Sequence, residues 1–266
     1  MHVLICGGGV IGASIAYFLS CRGLKATVIE STGLACAASG KSGGFLARDW
    51  CQGTPLAPLA RRSFALHGEL NEKLAGNWGY RRLDTYGGFA GFPARRAAYR
   101  LAWLSSKVKV VQALGYRDST AQVHPGQFTA AMMRAAAAQG AELLLGRVTA
   151  IAHHHGRATG VVVAGEIIEA DAVVVAMGPW SILAALSLPL PAIFGLKGHS
   201  LVFDTGDTVP RRSPICRIPG ANRHCAEPRG VSAHRRHDLC LRYFQRGAIA
   251  HRSGPSGAGP RGDRAS

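Results

Sequence analysis

The sequence predicts an α/β fold built on a parallel sheet, and three stretches predict it. Residues 2 to 30 read as an apolar strand, a glycine-rich turn, a helix, a second strand and an acid. Residues 129 to 145 read as another helix followed by a strand, and Ala172 to Ala176 is wholly apolar and ends in a sharp turn. Strands that alternate with helices and are apolar on both faces are the signature of a parallel sheet covered by helices.

The opening stretch carries the chemistry. Val3 to Cys6 runs into Gly7-x-Gly9-x-x-Gly12, the helical pattern that follows holds Ile11, Ile15, Phe18 and Leu19, and Gly23 closes it. The spacing of those four residues predicts one buried helical stripe. In such a motif Gly7 permits the tight turn out of the strand, Gly9 lets the backbone approach a pyrophosphate, and Gly12 lets the helix lie close to the sheet. The helix N-terminus offers N–H groups and the positive end of a dipole to phosphates. The second strand, Lys25 to Ile29, delivers Glu30, 18 residues after Gly12, where a carboxylate accepts hydrogen bonds from a ribose. A glycine-rich hairpin without a ligand is the plain alternative, and the strand before the motif and the acid after it argue against that reading.

Between Glu30 and the next clear sheet element lie roughly ninety residues, too many for a simple connection. They hold a glycine- and serine-rich loop, Ser39 to Gly44, and a helical stretch, Leu56 to Leu74, with Leu59, Phe64, Leu66, Leu70 and Leu74 as its packed side. Tyr80 to Phe92 reads as strand, and Pro93 to Leu104 as a further helix. A nicotinamide dehydrogenase would continue its sheet at once with further strand–helix units, so the pause predicts an inserted second domain. Thr129 then caps a helix that ends at Gly140, and Ala141 to Leu145 forms a strand. Val148 to Ala152, Gly160 to Val163 and Glu166 to Ala170 follow at the spacing of an antiparallel meander, turning at His155-Gly156-Arg157. His153, His154 and His155 are successive and cannot all face one ion, so no metal site is expected there.

The net charge of +16 is unevenly spread. Residues 211–266 contain 12 arginines, no lysine and 3 acids, so more than half of the excess sits in the last fifth of the chain. That segment is rich in Arg, Gly, Pro, Ala and Ser without a sustained period, which predicts a disordered tail from 210 to 266. Its arginines have no nucleic-acid-binding motif around them, and Cys216, Cys225, His234, His237 and Cys240 match no zinc-finger spacing, so neither nucleic acid nor metal is expected as a partner. Seven cysteines without a CxxC pair favour free thiols in a reducing compartment, and a cytoplasmic protein is the expectation. Val3 to Leu19 lacks a basic leading region and carries the glycine motif, which argues against a signal or membrane segment.

Five segments taken together resemble one family. VLICGGGVIGASIAYFLS…VIE, AASGKSGGFLARDWCQGTPLAPLARRSFALH, TAQVHPGQFTAAMMRAAAAQGAELLLG, ADAVVVAMGPWS and GLKGHSLVF stand, over residues 2 to 204, in the order found in FAD-dependent oxidoreductases of the D-amino-acid oxidase and glycine oxidase (DAO) family. The resemblance is strongest to a subgroup of oxidoreductases from fungi, algae and plants. It implies a Rossmann-like FAD-binding domain at 1–50 and 120–190 and an inserted, mainly β substrate domain at 51–119 and 191–209, incomplete at its C-terminal side. It implies that Gly7, Gly9 and Gly12 hold the FAD pyrophosphate, that Val10 and Ile11 offer it their N–H groups, and that Glu30 binds the adenosine ribose. Ser39, Lys41, Ser42, Gly43 and Gly44 match the loop beside the flavin ring, although Lys41 reads equally well as a solvated surface lysine. Val148 matches the backbone contact to the adenine side, and Met177 and Gly178 match the turn that approaches the dinucleotide from a second strand.

The activity implied is oxidation of a small amine or amino acid, with the cofactor doing the redox chemistry. After about Val209 the family's pattern is no longer readable, and the segment expected to grip a substrate carboxylate and close over the flavin is not found. Which residues are catalytic is therefore left unassigned, and a shifted reading frame is one expected origin of the tail. A non-catalytic flavin-binding or interaction protein is the alternative reading, and an NAD(P)-dependent dehydrogenase a weaker one.

Overall fold

The computed structural model describes residues 1–90, 97–102, 104–186, 188–193 and 195, with three further strands at 202–204, 212–217 and 242–244. Its centre is a four-stranded parallel sheet. Strands β1 (His2–Cys6), β2 (Lys25–Glu30), β8 (Glu142–Leu145) and β12 (Ala172–Val175) lie in the order β12-β1-β2-β8. Because every pairing is parallel, the four C-terminal ends share one rim. Chain order reverses direction at β1, the place where parallel α/β sheets open a ligand crevice.

One face of this sheet carries two helices, α1 (Val10–Ser20) and α4 (Pro125–Ala137), over a core that includes Val3, Ile5, Val28, Met132 and Ala136. The other face is covered by the antiparallel meander β9 (Val148–His154), β10 (Arg157–Val163) and β11 (Glu166–Glu169), whose Val161 packs with Leu4, Cys6 and Ile29. Both hairpins of the meander turn through pairs at positive φ, His155-Gly156 and Ala164-Gly165, which match the right-handed twist of the strands they join. The chain between β2 and α4 holds a short helical turn, α2 (Ala38–Lys41), and a longer helix, α3 (Ala57–Lys73). It also forms two small sheets. One has the order β3-β7-β4, from Phe45–Ala47, Thr120–Gln122 and Arg81–Arg82. The other pairs β5 (Asp84–Ala90) with β6 (Val108–Gly115) and, in parallel, with β14 (Arg212–Arg217). Val202–Asp204 (β13) and Arg242–Phe244 (β15) pair in parallel.

Several details differ from the sequence reading. The buried side of α1 is Gly12, Ala13, Ala16, Tyr17 and Ser20, while Ile11 is 61% exposed. Small residues let this helix press onto the sheet and α4, and Ile15, Phe18 and Leu19 pack at the flank of the same core. On α3, Phe64 and Leu70 are buried as expected, but Leu59 points to solvent. Helix α4 starts a turn before Thr129: Pro125 occupies its first turn, and the His124 ring accepts the Gln127 N–H. Thr129 lies inside, its hydroxyl donating to the Pro125 carbonyl. Residues 97–102 are not helical, since Tyr99 makes an antiparallel bridge to Val110. Strand β12 is an edge of the described sheet and only half-buried. In the basic tail, Arg212–Arg217 and Arg242–Phe244 are strands. The rest of that tail, including Cys225, His234, His237 and Cys240, lies outside the described residues, as does most of 191–209.

Candidate functional site

The rim of the parallel sheet brings the glycine motif and Glu30 together. Gly7 leaves β1 at φ +116°, a conformation that a side chain strongly disfavours, and its N–H donates to the Ile29 carbonyl at 2.8 Å. A side chain here would also collide with the Ala176 carbonyl at the end of β12, so Gly7 is where β1, β2 and β12 crowd. At Gly12 a Cβ would overlap the Gly7 carbonyl and stand 3.3 Å from Ile5 Cγ2, so this glycine seats α1 on the strand. Gly9, the N-cap of α1, differs: the one neighbour a Cβ would meet within 4 Å is Ser39 Oγ, at 3.1 Å. The backbone at Gly9 is thus open where a phosphate would approach.

Glu30 organises the turn opposite. Its carboxylate accepts the Gly8 N–H at 2.7 Å on one oxygen, and the Thr32 N–H at 2.9 Å and the Ser31 hydroxyl at 3.3 Å on the other. Partial burial pulls its pKa up, but the hydrogen bonds from Gly8, Thr32, Gly33 and Ser31 outweigh this and hold the carboxyl below the ordinary range. Glu30 is therefore an anion near neutral pH.

The loop expected beside a flavin folds against both halves of the structure. Ser39 Oγ accepts the Val10 N–H at 2.9 Å, capping α1 from outside the helix. Ile11 and Gly12 follow Val10 in the first turn, and their N–H groups have no acceptor inside the helix. Gly43 and Gly44 are buried, Gly44 at φ +63° where a Cβ would overlap the Val123 carbonyl. Lys41 and Ser42 are exposed at the end of α2.

The remaining predicted residues sit at the rim. The Ala176 N–H donates to the Cys6 carbonyl at 2.9 Å, and Met177 packs on the Leu4, Cys6 and Ile29 cluster. Gly178 follows at φ +54° and opens a 3₁₀ segment. Val148 begins β9 two residues after Gly146, whose N–H donates to the Glu30 carbonyl at 2.9 Å. The geometry thus gathers Gly7, Gly9, Val10, Ile11, Gly12, Glu30, Ser39, Met177, Gly178 and the start of β9 on one rim. Sequence reasoning missed Gly8, which binds Glu30, and Gln122, which is 2% exposed and donates to the Gly43 carbonyl at 3.3 Å. Gly8 was visible in the Gly7-Gly8-Gly9 run; a single glutamine in a strand carries no signal.

Among the described residues no group of three or more His, Cys, Asp or Glu could hold a metal ion, and no helix is long and apolar enough to cross a membrane.

Known proteins agree with this architecture. The chain is similar to "Putative oxidoreductase C1F5.03c" of Schizosaccharomyces pombe, 31% identical over 233 residues that cover 76% of this chain and 60% of that one. It is similar in structure to glycine oxidase from Bacillus cereus, with a TM-score of 0.58, 27% identity, and coverage of 70% of this chain and 57% of that one. Glycine oxidase from Geobacillus kaustophilus gives a TM-score of 0.60 and 25% identity, with coverage of 71% and 58%. The chain therefore spans less than two thirds of the length of these relatives. The pattern of the family described as FAD dependent oxidoreductase (DAO) matches residues 2–243, running past Val209, where the sequence reading lost it. With the glycine rim, the acid at the end of β2 and a match over most of its length, this chain belongs to the DAO family of FAD-dependent oxidoreductases.

Proposed function

We propose that this chain binds FAD along the rim of its parallel sheet and serves the oxidation of a small amine or amino acid. The observation that carries the reading is the contrast between Gly9, open to an incoming group, and Gly7 and Gly12, closed by backbone, beside an anionic Glu30. A dinucleotide needs these features in this order: room for the pyrophosphate, helix N–H groups facing it, and a carboxylate for the ribose. Ile11 and Gly12 supply N–H groups, Glu30 retains acceptor capacity beyond its turn contacts, and Val148 offers backbone to the adenine side. Met177 and Gly178 close the rim from β12, and Ser39 to Gly44 lie beside the flavin ring. Bound FAD would supply the redox chemistry, accepting a hydride equivalent from the carbon next to the substrate nitrogen.

We assign the FAD-binding domain to 1–50 and 120–190 and a partial substrate domain to 51–119 and 191–209. The parallel sheet, α1, α4 and the meander all fall in the first set of residues, which supports the division. The free thiols of Cys6, Cys21, Cys36 and Cys51 support a cytoplasmic site of action. A second reading is a flavin binder without turnover.

The test is the visible spectrum of the purified 266-residue chain after loading with FAD and removing the excess. A retained flavin band that bleaches anaerobically with an amino acid supports the oxidase. A band that no amine bleaches supports the binder, and protein that keeps no flavin rejects both.

A further inference from the structure

We infer that Gln122 is a positioning residue: it fixes the peptide between Gly43 and Gly44, so that the Gly44 N–H faces the cofactor side of the loop, and it links that peptide to the charge of Arg81. The inference rests on the FAD reading above. In strand β7, Gln122 lies opposite Phe45 of β3 on one side and opposite Arg81 of β4 on the other. Its amide is enclosed, and both ends are used. The Arg81 guanidinium donates to Oε1 at 2.6 Å, and Nε2 donates to the Gly43 carbonyl at 3.3 Å. A guanidinium only donates and a carbonyl only accepts, so the amide cannot turn over without losing both bonds.

The Gly43-Gly44 peptide needs such an anchor. Two successive glycines have little backbone preference of their own. Gly44 nevertheless sits at φ +63° beneath the Val123 carbonyl, and its own carbonyl accepts the Val123 N–H at 2.9 Å. The chain contains no cis peptide among the described residues. In a trans peptide the N–H of Gly44 points opposite to the Gly43 carbonyl, hence away from Gln122. Arg81, by binding Oε1, polarises the amide and makes Nε2 a better donor; the same polarisation passes through the peptide to the Gly44 N–H. A donor strengthened in this way favours the added electron density of a reduced flavin.

The experiment compares the full chain with Gln122→Met, which removes both contacts, and Gln122→Glu, which keeps a partner for Arg81 but puts an acceptor against the Gly43 carbonyl. Gln122→Glu keeps the comparison possible if the methionine variant does not fold. In the FAD-free proteins, the Val123 amide is expected to exchange about tenfold faster in the variants, and trypsin to cut sooner after Lys41. In the loaded proteins, FAD affinity is expected to fall about tenfold, and in Gln122→Met the flavin midpoint potential to become more negative.

Unchanged exchange and cleavage would overturn the anchoring. Faster exchange with unchanged affinity and potential would overturn the link to the cofactor. If the native chain retains no FAD, the functional reading fails on its own, and the exchange arm still decides whether Gln122 holds the loop.

Discussion

Replacing Gly9 and Gly12 separately by alanine distinguishes a glycine kept for a ligand from one kept for packing. At Gly12 the new methyl would overlap the Gly7 carbonyl and press on Ile5 Cγ2 at 3.3 Å. The Gly7 carbonyl is backbone, so no side-chain rotation relieves that overlap and α1 must retreat. Overpacking against rigid neighbours costs about 1–3 kcal/mol. Here the upper half applies, offset by the ~1 kcal/mol that alanine gains over glycine in a helix. The net expectation is a loss of about 1–2 kcal/mol in urea unfolding of the FAD-free chain. At Gly9 the methyl meets only the Ser39 hydroxyl, at 3.1 Å. An alanine at this N-cap costs about 1 kcal/mol or less. It would, however, fill the space left for a pyrophosphate, and FAD affinity should drop on the order of 100-fold, ~2.7 kcal/mol. Stability is read by urea titration followed by circular dichroism, and affinity by quenching of flavin fluorescence. A folded Gly9→Ala protein that binds FAD as tightly as the native chain would refute the pyrophosphate assignment.

Three further outcomes follow from titratable groups. Burial pushes the Cys6 thiol up to about 11, so iodoacetamide at pH 8 should spare Cys6 and label the exposed Cys21 and Cys36; labelling of Cys6 in folded protein would mean that β1 is not enclosed. Glu30→Ala leaves Gly8, Thr32 and Ser31 without their acceptor, and a loss of about 1–2 kcal/mol is expected, the lower end reflecting its partial exposure. Because the folded carboxyl titrates below its ordinary range, its contribution is present above that range and fades as pH falls through the lowered value. Burial among Phe128 and its neighbours lowers His67 to about 4, so the unfolded chain takes up this proton first on acidification. The stability due to neutral His67 is complete above about pH 6.5 and declines towards pH 4, by at most about 1.4 kcal/mol per pH unit. His67→Leu should flatten that part of the urea-derived profile, and an unchanged slope would remove His67 from the account.

The parallel sheet and the meander were legible because their signals are local: apolar runs, glycine turns and an acid at a fixed distance. Burial on the helices was less legible. Hydropathy ranks Ile11 above Ala13 and Ala16, yet where Gly12 seats the helix against a strand the neighbouring inner positions take Ala13 and Ala16, and Ile11 is left at the rim. The start of α4 was misplaced because Thr129 is the more familiar cap, while an imidazole can accept the same N–H; Pro125 in the first turn was the overlooked signal. At the site, the motif residues could be named from spacing alone. Gln122 and Arg81 could not, since their relation to Gly43 depends on strand register between segments 41 positions apart in the sequence.

That register has a physical consequence for the cofactor. Residues 39 to 44 touch helix α1 at the rim through Ser39 and Val10, and the small β3-β7-β4 sheet through Gly43 and Gln122. Gly44 also lies against Val123 and Pro125, where α4 begins. Six residues therefore connect three elements, α1, β7 and α4, with bonds that are individually worth about 1 kcal/mol. A ligand that contacts both the rim and this loop would order all three at once, and the gain would exceed the sum of its direct contacts, because each element is then held by the others. On the FAD reading, a ligand of the rim alone, such as ADP, would contact α1 and β2 without crossing to Gly43. FAD should thus raise the unfolding temperature of the chain more than ADP does at equal saturation, and protect the Lys41 bond from trypsin where ADP does not. Equal effects of the two would place the flavin ring away from the loop.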